Sequence, residues 1–234
     1  MALKAITFDF IETILDGHSR EDLFIAMGEI AKEDEDLRPI LIAAAQMYGP
    51  KRRKDIRNLK QSILTDLIAE TAKEQGKEMT QEELVDFNDR MFQMATSEAK
   101  LFDDVEETLT ALKERKLSLG LLSNVSFPGS YYDQLLETLG IAHFFDAIVW
   151  SSDLKVRKPS PQIFSYVLGE MHVAPAEAIH VGDTPHGDVR GAHDAGMRAV
   201  WVNRPGAQRH ADEEEADWEV KTLSEFVLIA DQEL

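Results

Sequence analysis

One pattern occurs at two places in the chain, Val-Gly-Asp-Thr-Pro-His-Gly-Asp at residues 181–188 and Thr-Phe-Asp-Phe-Ile-Glu-Thr at residues 7–13. In each, an apolar run typical of a buried strand ends at an aspartate, and residues that favour turns or helix starts follow. An open α/β sheet brings such strand ends together in the crevice where ligands bind. Asp9 and Asp183, with Asp188 as a third carboxylate, therefore predict a hard oxygen site that suits Mg²⁺ beside a phosphate.

The composition narrows the classes of function. The chain has 234 residues, and its 25 basic and 43 acidic side chains give a net charge of −18. That charge argues against a nucleic acid or an anionic membrane as a partner. The absence of cysteine excludes disulfides, thiol catalysis and cysteine-ligated zinc. The N-terminus lacks the apolar stretch of a signal peptide, and no run approaches the ~20 residues that span a bilayer. We therefore expect a cytoplasmic protein, either a monomer or a homodimer.

The periodicity of the apolar residues changes along the chain. Between residues 20 and 96 it is helical throughout, whereas the rest of the chain alternates between strand and helix patterns. The repeated βα units predict an α/β fold with a mostly parallel sheet. We expect a sheet domain of residues 1–16 and 99–234, with a helical domain of residues 17–98 inserted in it. The predicted strands lie near residues 3–8, 117–122, 147–150, 178–181 and 199–202, and the predicted exposed acidic loop lies at residues 211–215.

The strand ends carry side chains suited to phosphoryl transfer. The Asp9 carboxylate can attack phosphorus and form an aspartyl-phosphate, which divides one difficult displacement into two steps. A Mg²⁺ ion held by Asp9 and Asp183 would screen the charge of the substrate. Ser123 can donate a hydrogen bond to a phosphoryl oxygen, and Lys158 supplies a fixed cation. Each residue alone is typical of an ordinary loop, but together they fall in separate βα turns.

The order of these residues resembles the four motifs of the haloacid dehalogenase-like hydrolase superfamily. The motifs begin at Asp9, Ser123, Lys158 and Gly182. This resemblance implies a Rossmann-like core with an inserted α-helical cap, of the type called C1, which closes over the site. It also implies a Mg²⁺-dependent hydrolase that acts on a small phosphorylated metabolite.

The same resemblance implies a role for each site residue. Asp9 would be the nucleophile and a metal ligand, and Ser123 and Lys158 would bind the phosphoryl group. Asn124 would lie in the substrate site and orient the loop that carries the nucleophile, and Thr13, which closes the first motif, belongs to the catalytic set. The remaining metal ligands would be Asp183, Asp188 and the backbone carbonyl of Ile11.

The first motif departs from the superfamily at one position. Most phosphatases of the superfamily have a second aspartate two residues after the nucleophile, which protonates the leaving group and activates water. This chain has Ile11 there, and isoleucine can do neither. General acid–base help is worth ~10²–10⁴-fold, so its loss should slow the hydrolysis of ordinary monoesters. Glu12, which replaces the usual glycine, is one candidate substitute, although an exposed loop glutamate has the same sequence signature.

A basic segment lies within the helical part of the chain. Residues 47–54, Met-Tyr-Gly-Pro-Lys-Arg-Arg-Lys, resemble the substrate-specificity loop of the superfamily's cap. Four neighbouring cations in so acidic a chain are suited to an anionic substrate, and they equally fit a solvated helix start. The candidate substrate-binding residues in this segment are Lys51, Arg52, Arg53 and Lys54.

Three alternatives to the phosphatase stay open. Phosphonoacetaldehyde hydrolases of this superfamily also lack the second aspartate, use Mg²⁺, and form a Schiff base through a cap lysine. Haloacid dehalogenases attack carbon without a metal, but they do not keep the Gly-Asp pair that this chain has at residues 182–183. The third alternative is a phosphate-binding protein without turnover.

Overall fold

The computed structural model describes residues 2–18, 20–205 and 215–234, so most of the predicted acidic loop at 211–215 lies outside the described residues. The strands within the described residues are Ala5–Phe8 (β1), Leu15–Asp16 (β2), Lys100–Leu101 (β3), Ser118–Ser123 (β4), Ala147–Trp150 (β5), Ala178–Gly182 (β6), Arg198–Val202 (β7) and Trp218–Val220 (β8). Six of them form one parallel sheet in the order β5-β4-β1-β6-β7-β8. The predicted α/β fold with a mostly parallel sheet is therefore confirmed.

The centre of the sheet is β1, with β4 on one side and β6 on the other. Ala5 lies opposite both Ser118 and Ala178, and the two ladders continue in register to Phe8. All four residues of β1 and all five of β6 are buried, because helices cover both faces of a parallel sheet. This explains why these strands read as continuous apolar runs in the sequence.

Helices occupy the connections between the strands. Within the described residues the α-helices are Arg20–Glu33 (α1), Arg38–Asn58 (α2), Leu64–Glu74 (α3), Gln81–Ala95 (α4), Val105–Glu114 (α5), Gly129–Thr138 (α6), Ser151–Leu154 (α7), Pro161–Met171 (α8), Gly191–Asp194 (α9) and Leu223–Glu233 (α10). A π-helical turn at Pro185–Arg190 precedes α9. Local sequence explains where several helices begin. Thr80 and Glu83 cap α4 reciprocally, and the Ser160 hydroxyl caps α8, whose first residue is a proline. None of these helices combines the length and the apolar character that crossing a membrane requires.

The helices α1 to α4, which we call the helical insert, lie in the chain between the short strands β2 and β3. These two strands pair antiparallel, with Leu15 opposite Leu101, so the chain leaves the sheet region and returns to it side by side. The sequence did not predict them, because a two-residue strand has no periodicity. Apolar residues of the insert, such as Ile30 and Ile68, are buried in the same core as β1 and β4.

The basic segment at residues 47–54 is not a loop. It lies inside α2, which continues from Arg38 to Asn58 with Pro50 in its interior. Proline normally interrupts a helix because it lacks one hydrogen-bond donor and crowds the preceding turn. Here the buried residues Ile40, Leu41 and Ala44 hold the first half of the helix against the core. Of the two interpretations of this segment, a loop or a helix start, the structure therefore favours the helical one, with the segment inside the helix rather than at its start.

A buried ion pair fixes the chain after the first motif. The guanidinium of Arg204 donates to both carboxylate oxygens of Asp104, at 3.0 and 3.1 Å, and its Nη2 also donates to the carbonyl of Thr13 at 2.9 Å. The guanidinium carbon lies 3.8 Å from the ring centroid of Phe102. Asp104 accepts in addition from the backbone N–H of Leu223. The loop that follows Asp9 is thus tied to the start of α5 and of α10.

Candidate active site

The carboxyl ends of three adjacent strands bring the first site residues together. Asp9 directly follows β1, Ser123 ends β4 and Asp183 directly follows β6. Because β1 lies between β4 and β6, the three side chains meet at one edge of the sheet. Lys158 joins them from the segment between α7 and α8. The meeting of Asp9, Ser123, Lys158 and Asp183 is what the sequence predicted from strand order.

One oxygen of Asp9 is held by three donors. Asp9 Oδ1 accepts from its neighbour's backbone, Phe10 N, at 2.7 Å, from Ser123 Oγ at 2.7 Å and from Lys158 Nζ at 2.8 Å. The other oxygen accepts no hydrogen bond from the described residues. Asp9 is buried at 7% exposure, yet it lines a cavity. The arrangement fixes the carboxylate in one orientation and leaves Oδ2 without a donor among the described residues.

The ammonium group of Lys158 contacts three oxygen atoms. Its Nζ lies 2.8 Å from Asp9 Oδ1, 2.6 Å from Asp188 Oδ1 and 2.9 Å from the carbonyl oxygen of Leu122. Burial lowers the pKa of Lys158, but the negative charges of Asp188 and Asp9 outweigh burial and hold the pKa above its ordinary value. Lys158 therefore stays charged at neutral pH and presents a fixed positive charge at the nucleophile.

A series of buried hydrogen bonds, from Thr7 through His180, holds the Asp188 carboxylate in place. Burial lowers the pKa of His180, so the ring is neutral and its Nε2–H donates to Asp188 Oδ1 at 3.1 Å. The Nδ1 atom then accepts from the hydroxyl of Thr7 at 2.8 Å. Asp188 Oδ2 accepts from the backbone N–H of Thr184 at 2.8 Å. Burial raises the pKa of Asp188, but Lys158 and His180 outweigh burial and hold it below the ordinary range.

The close approach of Asp188 to the strand end explains the glycine at residue 182. A Cβ atom there would lie 2.3 Å from the carboxyl carbon of Asp188, so no larger residue fits. Gly182 thus lets the third carboxylate reach the first two.

Asp9, Asp183 and Asp188 form a carboxylate cluster. One oxygen of each lies within 4.8 Å of the others. Asp183 is partly exposed and lines the cavity. Loss of hydration raises the pKa of its carboxyl well above the usual range, and the charges of Asp9 and Asp188 raise it further. Such crowding of hard oxygen ligands is chemically suited to a divalent cation such as Mg²⁺, which would relieve the repulsion.

The loop after the nucleophile turns sharply at Glu12. Glu12 adopts the left-handed conformation with φ of 64°, a geometry that glycine adopts without strain. Both Ile11 and Glu12 line the cavity. Partial burial, followed by the charges of Asp16 and Asp22, raises the pKa of the Glu12 carboxyl. Because of the turn, Thr13 is fully buried and does not line the cavity. Its hydroxyl has no hydrogen-bond partner among the described residues, and the catalytic role expected for Thr13 stays a prediction.

A cavity of about 390 Å³ lies between these strand ends and the helical insert. Of the four cations predicted to bind substrate, Lys51 and Arg52 line it, whereas Arg53 and Lys54 are exposed and do not. Successive residues of a helix point in different directions, which explains why only some of the run faces inward. Lys51 also lies 3.6 Å from Glu70.

Asn124 lines the cavity but serves a different loop from the one expected. Its side-chain oxygen accepts from Lys158 N at 2.9 Å, and its Nδ2 donates to the Lys158 carbonyl at 3.2 Å. The side chain therefore holds the backbone of Lys158 rather than the loop that follows Asp9.

The sequence of the chain matches one known protein family. A family model described as haloacid dehalogenase-like hydrolase matches residues 6–202, which span every strand end of the site. The chain belongs to this family.

Individual relatives and a solved structure carry the comparison further. Phosphoserine phosphatase of Thermus thermophilus is 39% identical over 128 residues, which are 55% of this chain and 50% of that protein. The match thus spans about half the length of that relative. Glyceraldehyde 3-phosphate phosphatase of Methanopyrus kandleri is 29% identical over 86% of this chain and 84% of its own length. The crystal structure of a haloacid dehalogenase-like phosphatase from Thermococcus onnurineus is 27% identical, covers 97% of each chain and superposes with a TM-score of 0.61.

Several cavity residues were not predicted from the sequence. His18 is buried at the cavity wall, where its ring nitrogens lie 3.0 Å from the Ala95 carbonyl and 3.3 Å from the hydroxyl of Tyr132. Arg157 lies next to Lys158 in the chain, and its Nη1 donates to Gln61, which comes from the insert. The signal for Arg157 is its position next to Lys158. Neither His18 nor Gln61 has a signal in the sequence, because each reaches the cavity only through long-range packing.

Proposed function

We propose that this protein is a Mg²⁺-dependent phosphatase that hydrolyses a small phosphorylated metabolite through an aspartyl-phosphate on Asp9. The observation that carries the proposal is the environment of Asp9. One carboxylate oxygen is held by three donors, the residue lines a cavity, and a buried ammonium and two further carboxylates lie beside it. The phosphatases among the relatives described above support the same reading.

The residues of the chain suggest how the reaction proceeds. A carboxylate oxygen of Asp9 attacks phosphorus and forms a bond to it, and the bond from phosphorus to the ester oxygen breaks. The leaving group departs with the electron pair of that bond and takes up a proton from water or from Glu12. Ser123 and Lys158 lie beside the attacking carboxylate, where the hydroxyl and the positive charge would stabilise the charge on the transferring group. Water then attacks the phosphorus of the aspartyl-phosphate, which frees Asp9 and releases inorganic phosphate.

Asp9, Asp183 and Asp188 would hold the metal, together with the backbone carbonyl of Ile11. When bound, Mg²⁺ would neutralise charge on the phosphoryl oxygens. As part of the same proposal, residues 17–98 form a cap that excludes bulk water from the sheet domain of residues 1–16 and 99–234 during transfer.

Metal dependence is the experiment that tests this function. EDTA should reduce phosphate release from a panel of phosphate esters to background, and added Mg²⁺ should restore it. Direct titration should show that Asp183→Asn weakens Mg²⁺ binding by at least the ~10–100-fold that loss of an outer supporting group costs. Asp86→Asn, an exposed aspartate on α4, is the matched control and should bind Mg²⁺ like the unaltered protein.

The other outcomes of this experiment separate the alternatives. Full turnover of a 2-haloacid in EDTA would instead indicate a dehalogenase. Borohydride trapping of phosphonoacetaldehyde on Lys51, the insert lysine that lines the cavity, would indicate cleavage of a carbon–phosphorus bond. Phosphate binding without any turnover would indicate a binding protein.

The apolar side chain at residue 11 predicts a dependence on the leaving group. Ile11 cannot protonate a departing alkoxide, so aryl phosphates, whose leaving groups need little protonation, should be cleaved much faster than alkyl phosphates. Ile11→Asp should narrow the ratio of the two kcat/KM values by ~10²-fold, the lower end of what a general acid supplies. Ile11→Asn is the matched control, because asparagine has the shape of aspartate without its acidic proton, and it should leave the ratio of the two kcat/KM values unchanged.

Glu12 supplies the competing explanation for the same measurement. If Glu12 already donates the proton, Glu12→Gln should lower the rate for alkyl phosphates alone. Equal rates for aryl and alkyl phosphates in the unaltered protein, unchanged by either substitution, would contradict any role of the first motif in proton transfer.

A further inference from the structure

The cavity contains a second buried cation that phosphoryl transfer does not use. Arg157 is only 7% exposed and lines the cavity next to Lys158. Among the described residues, its side chain makes one hydrogen bond, from Nη1 to Gln61 Oε1 at 3.1 Å. Its Nε is buried and has no hydrogen-bond partner. No carboxylate of the described residues lies within ion-pair distance, which makes Arg157 unlike Lys158.

Such a charge is unfavourable to bury without a partner. Burial lowers the pKa of Arg157 to about 10, and the nearby positive charge of Arg52 lowers it as well, whereas Tyr48 and Asp55 act in the opposite direction. The guanidinium is still charged at neutral pH. A buried charge is normally paired, because the loss of its hydration is otherwise uncompensated. The missing partner of Arg157 is therefore to be sought in the cavity that it lines.

The remaining donor of the guanidinium defines what that partner is. Nη1 is directed at Gln61 and Nε is enclosed by protein, so Nη2, which makes no hydrogen bond among the described residues, is left for an oxygen of a carboxylate or a phosphate. Arg52, from α2, lines the same cavity and adds positive charge. The cavity of about 390 Å³ has room for a small molecule.

We propose that the substrate carries a second anionic group beside its phosphate, and that Arg157 binds this group through Nη2 of its guanidinium. This inference rests on the proposed phosphatase function and names its substrate class, a small phosphate ester of an acid. A carboxylate and a second phosphate share the required chemistry, and the experiment below distinguishes them.

A purely structural role of Arg157 is the competing explanation. The segment that contains Arg157 pairs with the insert through its main chain. Gln61 N donates to the Lys155 carbonyl at 3.1 Å, and Arg157 N donates to the Leu59 carbonyl at 3.3 Å. Between these two bonds, Lys60 and Val156 form an isolated antiparallel β-bridge. These bonds do not involve the guanidinium, so a substitution of the side chain leaves them in place. A structural role would affect all substrates alike.

The test compares three esters of similar size, phosphoglycolate, 2-hydroxyethyl phosphate and ethylene glycol bisphosphate. The unaltered protein should cleave an ester with a second anion with a kcat/KM at least ~10-fold above that of neutral 2-hydroxyethyl phosphate. Preference for phosphoglycolate identifies the second group as a carboxylate, and preference for the bisphosphate identifies it as a phosphate. Arg157→Gln should abolish the preference, mainly through KM, and leave the rate with 2-hydroxyethyl phosphate within a few-fold. Arg157→Lys, which keeps the charge without the fork, should retain part of it.

The control variant is Arg57→Gln, because Arg57 is exposed on α2 and does not line the cavity. It should keep the preference. Equal kcat/KM values for the neutral and anionic esters in the unaltered protein, or an equal loss for both in Arg157→Gln and Arg157→Lys, would overturn the proposal.

A binding measurement separates this inference from the phosphatase itself. Calorimetric titration with 3-phosphonopropionate, which cannot be hydrolysed, is compared with propylphosphonate, which lacks the carboxylate. Tighter binding of 3-phosphonopropionate that is lost in Arg157→Gln supports the second-anion site even if no ester is turned over. Equal affinity for the two phosphonates, or binding of neither, together with no preference among esters, sinks it.

Discussion

Replacing Asp9 with asparagine should lower the hydrolysis of every phosphate ester by ~10⁴-fold or more, the scale on which removal of a catalytic nucleophile acts. The amide oxygen of asparagine can still accept the hydrogen bonds of Phe10 N and Ser123 Oγ, so the loop should keep its shape. What is lost is the negative charge on the oxygen that attacks phosphorus. The measurement is kcat/KM with an aryl phosphate, accompanied by circular dichroism to establish that the variant is folded.

Two further observations would make this result specific. Brief incubation of the unaltered protein with substrate, followed by acid quenching, should yield a phosphorylated peptide that contains Asp9. Asp86→Asn, which removes an exposed carboxylate, should be fully active. Turnover of Asp9→Asn within tenfold of the unaltered protein would remove Asp9 from the mechanism.

Lys158→Met should impair both the reaction and the fold. Methionine is similar in length but uncharged, so it fills the space and leaves Asp9 and Asp188 without their common partner. Loss of one donor to the transferring group should reduce kcat by ~10²–10³-fold. Breaking a buried pair by removing one member typically lowers the free energy of unfolding by about 3–5 kcal/mol, because the remaining charge is uncompensated. Urea denaturation measures the second effect independently of the first.

The matched control for this substitution lies three residues earlier. Lys155 belongs to the same connection but is exposed and does not line the cavity, so Lys155→Met should change neither kcat nor the unfolding free energy appreciably. If Lys158→Met were as stable and as active as Lys155→Met, the central position of Lys158 in the carboxylate cluster would be without consequence.

The sequence was sufficient for the parts of the site that depend on strand order. Asp9, Ser123 and Asp183 each end an apolar run, and parallel strands place such ends at one edge of a sheet. Lys158 and Asp188, which lie in neighbouring βα turns, were placed with them from the residue pattern, and the resemblance to the family then gave each residue a role. The positions of these residues follow from the strand ends and the order of the strands, and both can be predicted from the sequence.

Other parts of the site depend on contacts that the sequence does not reveal. The left-handed turn at Glu12 directs the chain inward after Ile11 and leaves Thr13 buried away from the cavity. The basic run fitted either a loop or a helix start, and in the structure it lies inside α2, which continues through Pro50. The isolated charge of Arg157 is visible only when one knows which side chains surround it. In each case tertiary structure supplies what the local pattern leaves open.

The short ladder between residues 59–61 and 155–157 links two regions that are far apart in the chain, and it does so with very few main-chain bonds. The amide protons of Gln61 and Arg157 therefore exchange with deuterated solvent when the insert separates locally from the sheet region. Amides in the middle of β1, which is bonded on both sides, exchange only when the sheet itself opens. The ratio of these two exchange rates measures how often the cavity opens, in the absence of any substrate and without an assay of activity. A ligand that bridges Arg157 and the helical insert would slow the first rate and leave the second unchanged.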